Sequence, residues 1–221
     1  MLKFLYQKLM QFIMAKPDGP EALDMKMEML MEKAQSGDAQ AQYEIGYRYI
    51  NGSYYLKDIP AGLRWLELAA KQYHVKAQSF LANYYFNHQQ SYPDKQQEII
   101  SWCEYAALRK DADAEALWGE ILCSGFATST PSSEGISYLQ KHAKQGHLRS
   151  QYILAQQYLS GELINKDFSQ AKYWVDLAAK SGYAPAQQLL GKMYQQGKGV
   201  AVNPTEARYW FEQAQKNNIS S

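Results

Sequence analysis

The chain has 221 residues, with 23 basic and 22 acidic side chains and a net charge of +1, so no global field draws it to nucleic acid or to an anionic membrane. Its two cysteines, Cys103 and Cys123, have no tight metal spacing, which argues against a disulfide scaffold or zinc module and for free thiols in a reducing, cytoplasmic setting. Tyrosine is unusually frequent at 18, with five tryptophans, and such amphipathic rings serve helix packing and exposed binding surfaces alike.

Residues 2 to 15 place Leu2, Leu5, Leu9, Phe12 and Ile13 on one side of a helical period and Lys3, Gln7, Lys8 and Gln11 on the other. The segment is too short and interrupted to cross a bilayer, and no small-x-small cleavage pattern follows. A helix capping the first repeat is expected, in preference to a membrane-lying one. A second helix, Glu21 to Gln35, carries Met25, Met27, Met29 and Met31 as adaptable core. Residues 1–37 thus read as N-terminal capping helices or a degenerate repeat.

From Ala39 onward a pattern returns. Gln42, Gln78, Glu115, Gln151 and Gln187 recur at intervals of 36, 37, 36 and 36 residues. Three residues after each comes a large residue followed by a small one: Ile45-Gly46, Leu81-Ala82, Trp118-Gly119, Leu154-Ala155 and Leu190-Gly191. Two helices approach closely only where a side chain is nearly absent. Tyr49, Tyr85, Leu122, Tyr158 and Tyr194 complete this face of a first helix, A, closed by Gly52, Gly125, Gly161 and Gly197, with His88 in that place in the second repeat.

The second helix, B, opens with caps at Asp58, Asp94, Asp167 and Asn203. It carries Trp65, Trp102, Tyr138, Trp174 and Trp210 as wedges, then small pairs such as Ala69-Ala70 and Ala178-Ala179. Gly37, Gly146 and Gly182 end three such helices, whereas Tyr73 and Lys110 hold the equivalent places, where a different joint geometry is expected. The boundaries that follow are 38–74, 75–110, 111–146, 147–182 and 183–218, in an all-α chain.

This string of large-Gly, Tyr, Gly, capped helix, Trp and Ala-Ala resembles the Sel-one-like repeat, a branch of the tetratricopeptide superfamily, over residues 39 to 218. The resemblance implies antiparallel helix pairs stacked into a right-handed α-solenoid with the A helices on the concave side. It also implies an adaptor role: quality-control scaffolds, enzyme regulators, and bacterial proteins that contact host or competitor proteins, with an immunity or regulatory protein as a narrower form. Cysteine-rich members have been linked to antibiotic binding or hydrolysis, and this chain lacks their cysteines.

No catalytic or metal constellation is expected and no cofactor is implied. His74, His88, His142 and His147 lack His-Glu-x-x-His or paired metal spacing, and Gly197-Lys198-Gly199 belongs to a repeat turn. His142 stands where other repeats carry a small residue, which reads as a local distortion in preference to a buried titrating group. Glu67, Glu104, Asp176 and Glu212 form an acidic row explained by a solvated face.

The helix A positions left over by packing form one stripe per repeat, and from them come the groove candidates Tyr43, Tyr47, Asn51, Asn83, Phe86, Asn87, Glu120, Tyr152, Gln156 and Lys192. Aromatics mixed with amides and little charge suit a protein or peptide partner. The rival is a hydrolase or small-ligand protein with a closed pocket holding Glu120 or His142. Tyr209, Trp210 and Phe211 in the last helix suggest an end-to-end homodimer as a further expectation.

Overall fold

The computed structural model describes residues 20–53, 55–128 and 130–219. Among them are eleven α-helices: α1 Pro20–Gln35, α2 Ala39–Asn51, α3 Ile59–Lys71, α4 Val75–Asn87, α5 Gln96–Leu108, α6 Ala112–Ser124, α7 Glu134–Lys144, α8 Leu148–Ser160, α9 Phe168–Lys180, α10 Ala184–Gln196 and α11 Pro204–Ile219. Within each unit they are packed as sequential antiparallel pairs. The A helices are α2, α4, α6, α8 and α10. The amphipathic segment 2 to 15 lies outside the described residues.

The chain forms two compact units, residues 1–106 and 107–221. In the first, α1 covers α2, with Ala34, Ala41 and Ile45 buried together under Leu30, Met31 and Trp65. Of the methionine run, Met27 is buried and Met29 exposed. In the second, Leu139, Leu154, Val175 and Leu190 are fully buried in one core with Trp174 and Met193.

Close helix crossings explain the small residues. A Cβ added at Gly46 would lie 2.8 Å from the Gly62 carbonyl oxygen, and one at Gly119 would lie 2.8 Å from Tyr138 Cβ and 3.1 Å from the Gly135 carbonyl oxygen. The B-helix core position is not the aromatic itself. It is the residue after it: Leu66, Cys103, Leu139 and Val175 are fully buried, whereas Trp65, Trp102, Tyr138 and Trp210 are half-buried and only Trp174, at 7% exposure, joins the core. A ring reaching past its own backbone sits at the rim of the seam, and the shorter neighbour fills the middle.

The helix ends follow local chemistry. Asp58 Oδ1 accepts from the Ala61 amide at 2.9 Å, Asp167 from Ser169 and Gln170, and Asn203 from Thr205 and Glu206. Asp94 departs from this pattern, because Pro93–Lys95 forms a 3₁₀ turn and α5 begins only at Gln96. Gly52, Gly125, Gly161 and Gly197 adopt the left-handed conformation, while His88 ends α4 at φ −118°. The joints at Tyr73 and Lys110, expected to differ, keep the left-handed form of their glycine counterparts, with φ of 62° and 64°. The turn imposes the geometry, and the side chains carry the strain.

The recurring anchor bonds across each joint. Gln42 Nε2–H donates to the Ala34 carbonyl, Gln78 to Ala70, Gln151 to Ala143 and Gln187 to Ala179, always eight residues back and at 3.0 to 3.1 Å. Each of these carbonyls already accepts the backbone amide three residues on, and the glutamine adds a second donor from the next helix.

Candidate functional site

In the first unit, the face left over by packing on α2 and α4 is a run of aromatic rings. Tyr43 stacks on His74 at 4.9 Å and lies 6.0 Å from Tyr47, and Tyr47 meets the edge of Phe80 at 5.9 Å. Phe80 stacks on Tyr84 at 6.4 Å, and Tyr84 on His88 at 4.3 Å. The (i, i+4) spacing of Tyr43 with Tyr47, and of Phe80 with Tyr84 and His88, puts each set on one side of its helix. Tyr47 is 45% exposed. Asn51 and Asn87 are exposed and Asn83 is half-buried, with Asn87 Nδ2–H donating to the Asn83 carbonyl at 2.9 Å.

Phe86 does not belong to this face. It is 8% exposed, and its register, shared with Ile50 and Cys123, points toward helix B: a Cβ on Gly135 would lie 2.6 Å from Cys123 Sγ. In the first three repeats the residue seven positions after the first stripe residue is therefore a core position, whereas Leu159 is half-buried and Gln195 exposed. Burial pushes the Cys123 thiol up to about 11, with the charge of Glu120 adding to it. Neither Cys103 nor Cys123 is in a disulfide.

In the second unit, Glu120 on α6 and Arg149 on α8 form a two-pronged pair, Nε to Oε2 at 2.6 Å and Nη2 to Oε1 at 2.8 Å. Burial works against the Arg149 charge, but the hydrogen bond and charge of Glu120 outweigh it and hold the group above its ordinary value. Tyr152 meets Tyr183 edge-on at 5.7 Å and its hydroxyl accepts from Gln156 Nε2–H at 2.9 Å. Burial, then the Glu120 carboxylate, raises the Tyr152 hydroxyl; burial also raises Tyr183. Lys192 is exposed on α10.

Glu120, Tyr152 and Gln156 thus come together with Arg149 and Tyr183, and Tyr43 and Tyr47 with His74, Phe80 and Tyr84. Those five additions were missed by sequence reasoning, which read each stripe alone. The signal was in the register: Phe80 stands where other repeats carry Glu44, Leu117, Ile153 and Leu189, and Tyr84 where they carry Arg48, Ile121, Gln157 and Met193.

Two sequence expectations change with the geometry. His142 is no distortion: 3% exposed, its Nε2 lies 3.1 Å from Glu115 Oε2, itself 2% exposed and also held by Lys141. Burial pushes the Glu115 carboxyl up, yet the hydrogen bonds and charges of Lys141 and His142 overcome this and hold it below its usual range. Glu67 is not simply solvated, because it accepts from Tyr85 Oη at 2.8 Å and Lys95 Nζ at 2.9 Å.

An open cavity of about 690 Å³ is lined by Tyr49, Tyr55 and Leu56 to Pro60, and one of about 410 Å³ lies between α10 and α11 against Phe211. Neither lining includes Glu120 or His142. Among the described residues, no group of three His, Cys, Asp or Glu side chains is placed to hold a metal ion, and no helix is long and apolar enough to cross a membrane.

The Sel1 repeat model matches residues 39–74, 112–147, 148–183 and 184–218. The unmatched stretch holds α4 and α5, the pair with His88 at the A-helix end and Tyr73 and Lys110 at its flanking joints. The secretory immunoglobulin A-binding protein EsiB of Escherichia coli O6:H1 is 35% identical over 69 residues, which are 31% of this chain and 14% of that protein. A protective antigen present in uropathogenic Escherichia coli, displaying an SLR fold, superposes with a TM-score of 0.66 at 29% identity, covering 86% of this chain and 40% of that one. A Sel1 repeat protein from Oxalobacter formigenes gives 0.55 at 27%, covering 94% and 60%. The chain therefore spans less than two thirds of each of these relatives. With four matched repeats, the joint bonds that the anchors make and the paired helices in register, the chain belongs to the Sel1 repeat family of tetratricopeptide-like helical repeats.

Proposed function

We propose that this protein is a binding scaffold that holds a protein partner on the exposed side of its A helices and works by recognition rather than by chemistry. The observation that carries this reading is the ring run Tyr43, Tyr47, Phe80, Tyr84. At those four registers the other repeats make do with Ser79 and Ala116, Asn83 and Gln156, Leu117 and Ile153, or Ile121 and Met193, so the fold does not require the rings. An exposed Tyr47 flanked by the half-buried rings of Tyr43, Phe80 and Tyr84 contributes pre-ordered binding area at low ordering cost. In the second unit, the Glu120–Arg149 pair and Tyr152 offer a pre-ordered polar counterpart. The name of the immunoglobulin-binding relative supports the class of partner, a protein, and not its identity. An immunity or regulatory protein is a narrower form of the same reading.

The test is comparative capture of partners from the native cell, using the wild-type chain, a Tyr43→Ala/Tyr47→Ala variant, and a Tyr173→Ala variant altered at an exposed ring on helix B. The A-face variant should lose the specific partner, with affinity at least about tenfold weaker as for a central interface residue, and unchanged helical circular dichroism. Retention by the A-face variant together with loss by Tyr173→Ala would overturn the reading.

A further inference from the structure

The residues that cap the A helices alternate in kind. Asp38 caps α2 and Asp111 caps α6, each by accepting the amide of the third residue on, Ala41 at 2.7 Å and Ala114 at 3.1 Å. At the same register, His74 caps α4 and His147 caps α8, and the acceptor is a ring nitrogen: Nδ1 lies 3.2 Å from the Ala77 amide and 3.2 Å from the Ser150 amide. Tyr183, fifth in the row, makes no side-chain cap at α10.

A ring nitrogen accepts only while it carries no proton. His74 Nε2 lies 2.9 Å from Gln40 Oε1, which fixes the proton on Nε2 and leaves the Nδ1 lone pair for the amide. His147 Nδ1 also lies 2.8 Å from the Ser150 hydroxyl, which donates to it in the same tautomer. Protonating Nδ1 would turn the acceptor into a donor facing an N–H. It would also place a positive charge at the positive end of the helix dipole, so both effects oppose the cap. An aspartate cap accepts through a carboxylate oxygen and sets a negative charge at that end of the helix, which the dipole favours.

We propose that His74 and His147 are acid-labile latches, which hold the first turns of α4 and α8 at neutral pH and release them as the imidazoles protonate. The surroundings agree. Around His147 are Asp113 on α6, His142 on α7 with its ring 6.4 Å away and its Nε2 on Glu115, and Arg149 on α8. Burial first, then the charges of His142 and Arg149, keep His147 below the ordinary imidazole value against the pull of Asp113. Around His74 are Asp38 and the stacked Tyr43, and burial lowers His74 despite Asp38. Native values below the unfolded one mean that this stability is full above the ordinary value near 6.5 and is lost as pH falls from there through the native value.

The first two turns of α8 carry Arg149 and Tyr152, so the latch also regulates the partner-binding face; this second step rests on the binding reading proposed above. The test measures amide protection by hydrogen exchange, corrected for intrinsic rates, between pH 7.5 and 5. Ala77 and Ser150 should lose protection about five- to tenfold, as expected for a lost cap, relative to the Ala41 and Ala114 amides under the aspartates. The variants His74→Asp and His147→Asp, which copy the caps of the neighbouring repeats, should abolish that loss. Equal responses at all four amides, or an undiminished response in the aspartate variants, would overturn the latch. Release of the captured partner at pH 5, absent in His147→Asp, is the expected second readout. A working latch with no change in partner binding would remove α8 from the binding face and leave the latch standing.

Discussion

Glu115 stands where four other repeats carry glutamine, and His142 where they carry a small residue. A carboxylate has no hydrogen to donate, so the third repeat exchanges a neutral bond for a buried Glu115 held by the buried His142 and by Lys141 reaching in from the surface. Glu115→Ala leaves the buried His142 Nε2 without its partner and should cost about 2 kcal/mol. The double change Glu115→Gln/His142→Ala, which restores the pattern of the neighbours, should stay within about 1 kcal/mol of wild type, since a buried pair gives little net stability. Urea denaturation measures both. Because the native Glu115 value is depressed, its contribution is present above the unfolded carboxyl range and is lost as pH falls through the native value. Denaturation repeated at low pH should therefore shrink the gap between wild type and Glu115→Ala. Lys110 makes a second residue-scale prediction. Its φ of 64° costs an L-residue about 1 kcal/mol or more that glycine escapes. Its ion pair with Glu115, 3.5 Å long, joins a side chain that is 79% exposed and is worth little. Lys110→Gly should raise stability by up to about 1 kcal/mol in the same assay.

At the scale of helices, the tolerance of a small-residue position depends on what faces it. At Gly119 an added methyl meets the Gly135 carbonyl and Tyr138 Cβ, which move only with the backbone; at Gly191 it meets the ring of Phe211, a side chain that can turn. Gly119→Ala should therefore lower the thermal midpoint clearly, at an overpacking cost of about 1–3 kcal/mol, and Gly191→Ala distinctly less. Equal midpoints for the two variants would contradict this account. Helices were the most legible part of the sequence, since the period returns five times, with caps and glycine stops in most copies, and each copy corrects the others. Legibility failed where one copy differs. Asp94 has capping-box spacing, but Pro93 draws it into a 3₁₀ turn. Phe86 shares a stripe with Asn83 and Asn87 yet turns inward, because it stands two turns after the buried Ser79 on the same line of the helix, turned roughly 60° from Asn83.

At the scale of the molecule, the family and the pairing of helices were readable because a repeat states its rule many times. The composition of the exposed face was readable only in part. Tyr43, Tyr47, Glu120, Tyr152 and Gln156 could be named from spacing, whereas Arg149 and Tyr183 join them through contacts between helices 29 or more residues apart in sequence. The side-chain bond from each anchor glutamine to a carbonyl eight residues earlier has a consequence for how such a chain grows. Residues 148–183 bring both halves of that fastening, Gln151 to engage the Ala143 carbonyl and the Ala179 carbonyl to receive Gln187. A tandem copy of this segment, spliced in after Tyr183, would find matching partners on both sides, and the lengthened chain should gain helical signal in proportion and melt no earlier than its parent. Residues 112–147 lack that interchangeability, for Glu115 has no hydrogen to offer an upstream carbonyl and depends on Lys141 and His142 of its own module. Lineages of this architecture can lengthen by copying some modules freely, while others are tied to their place.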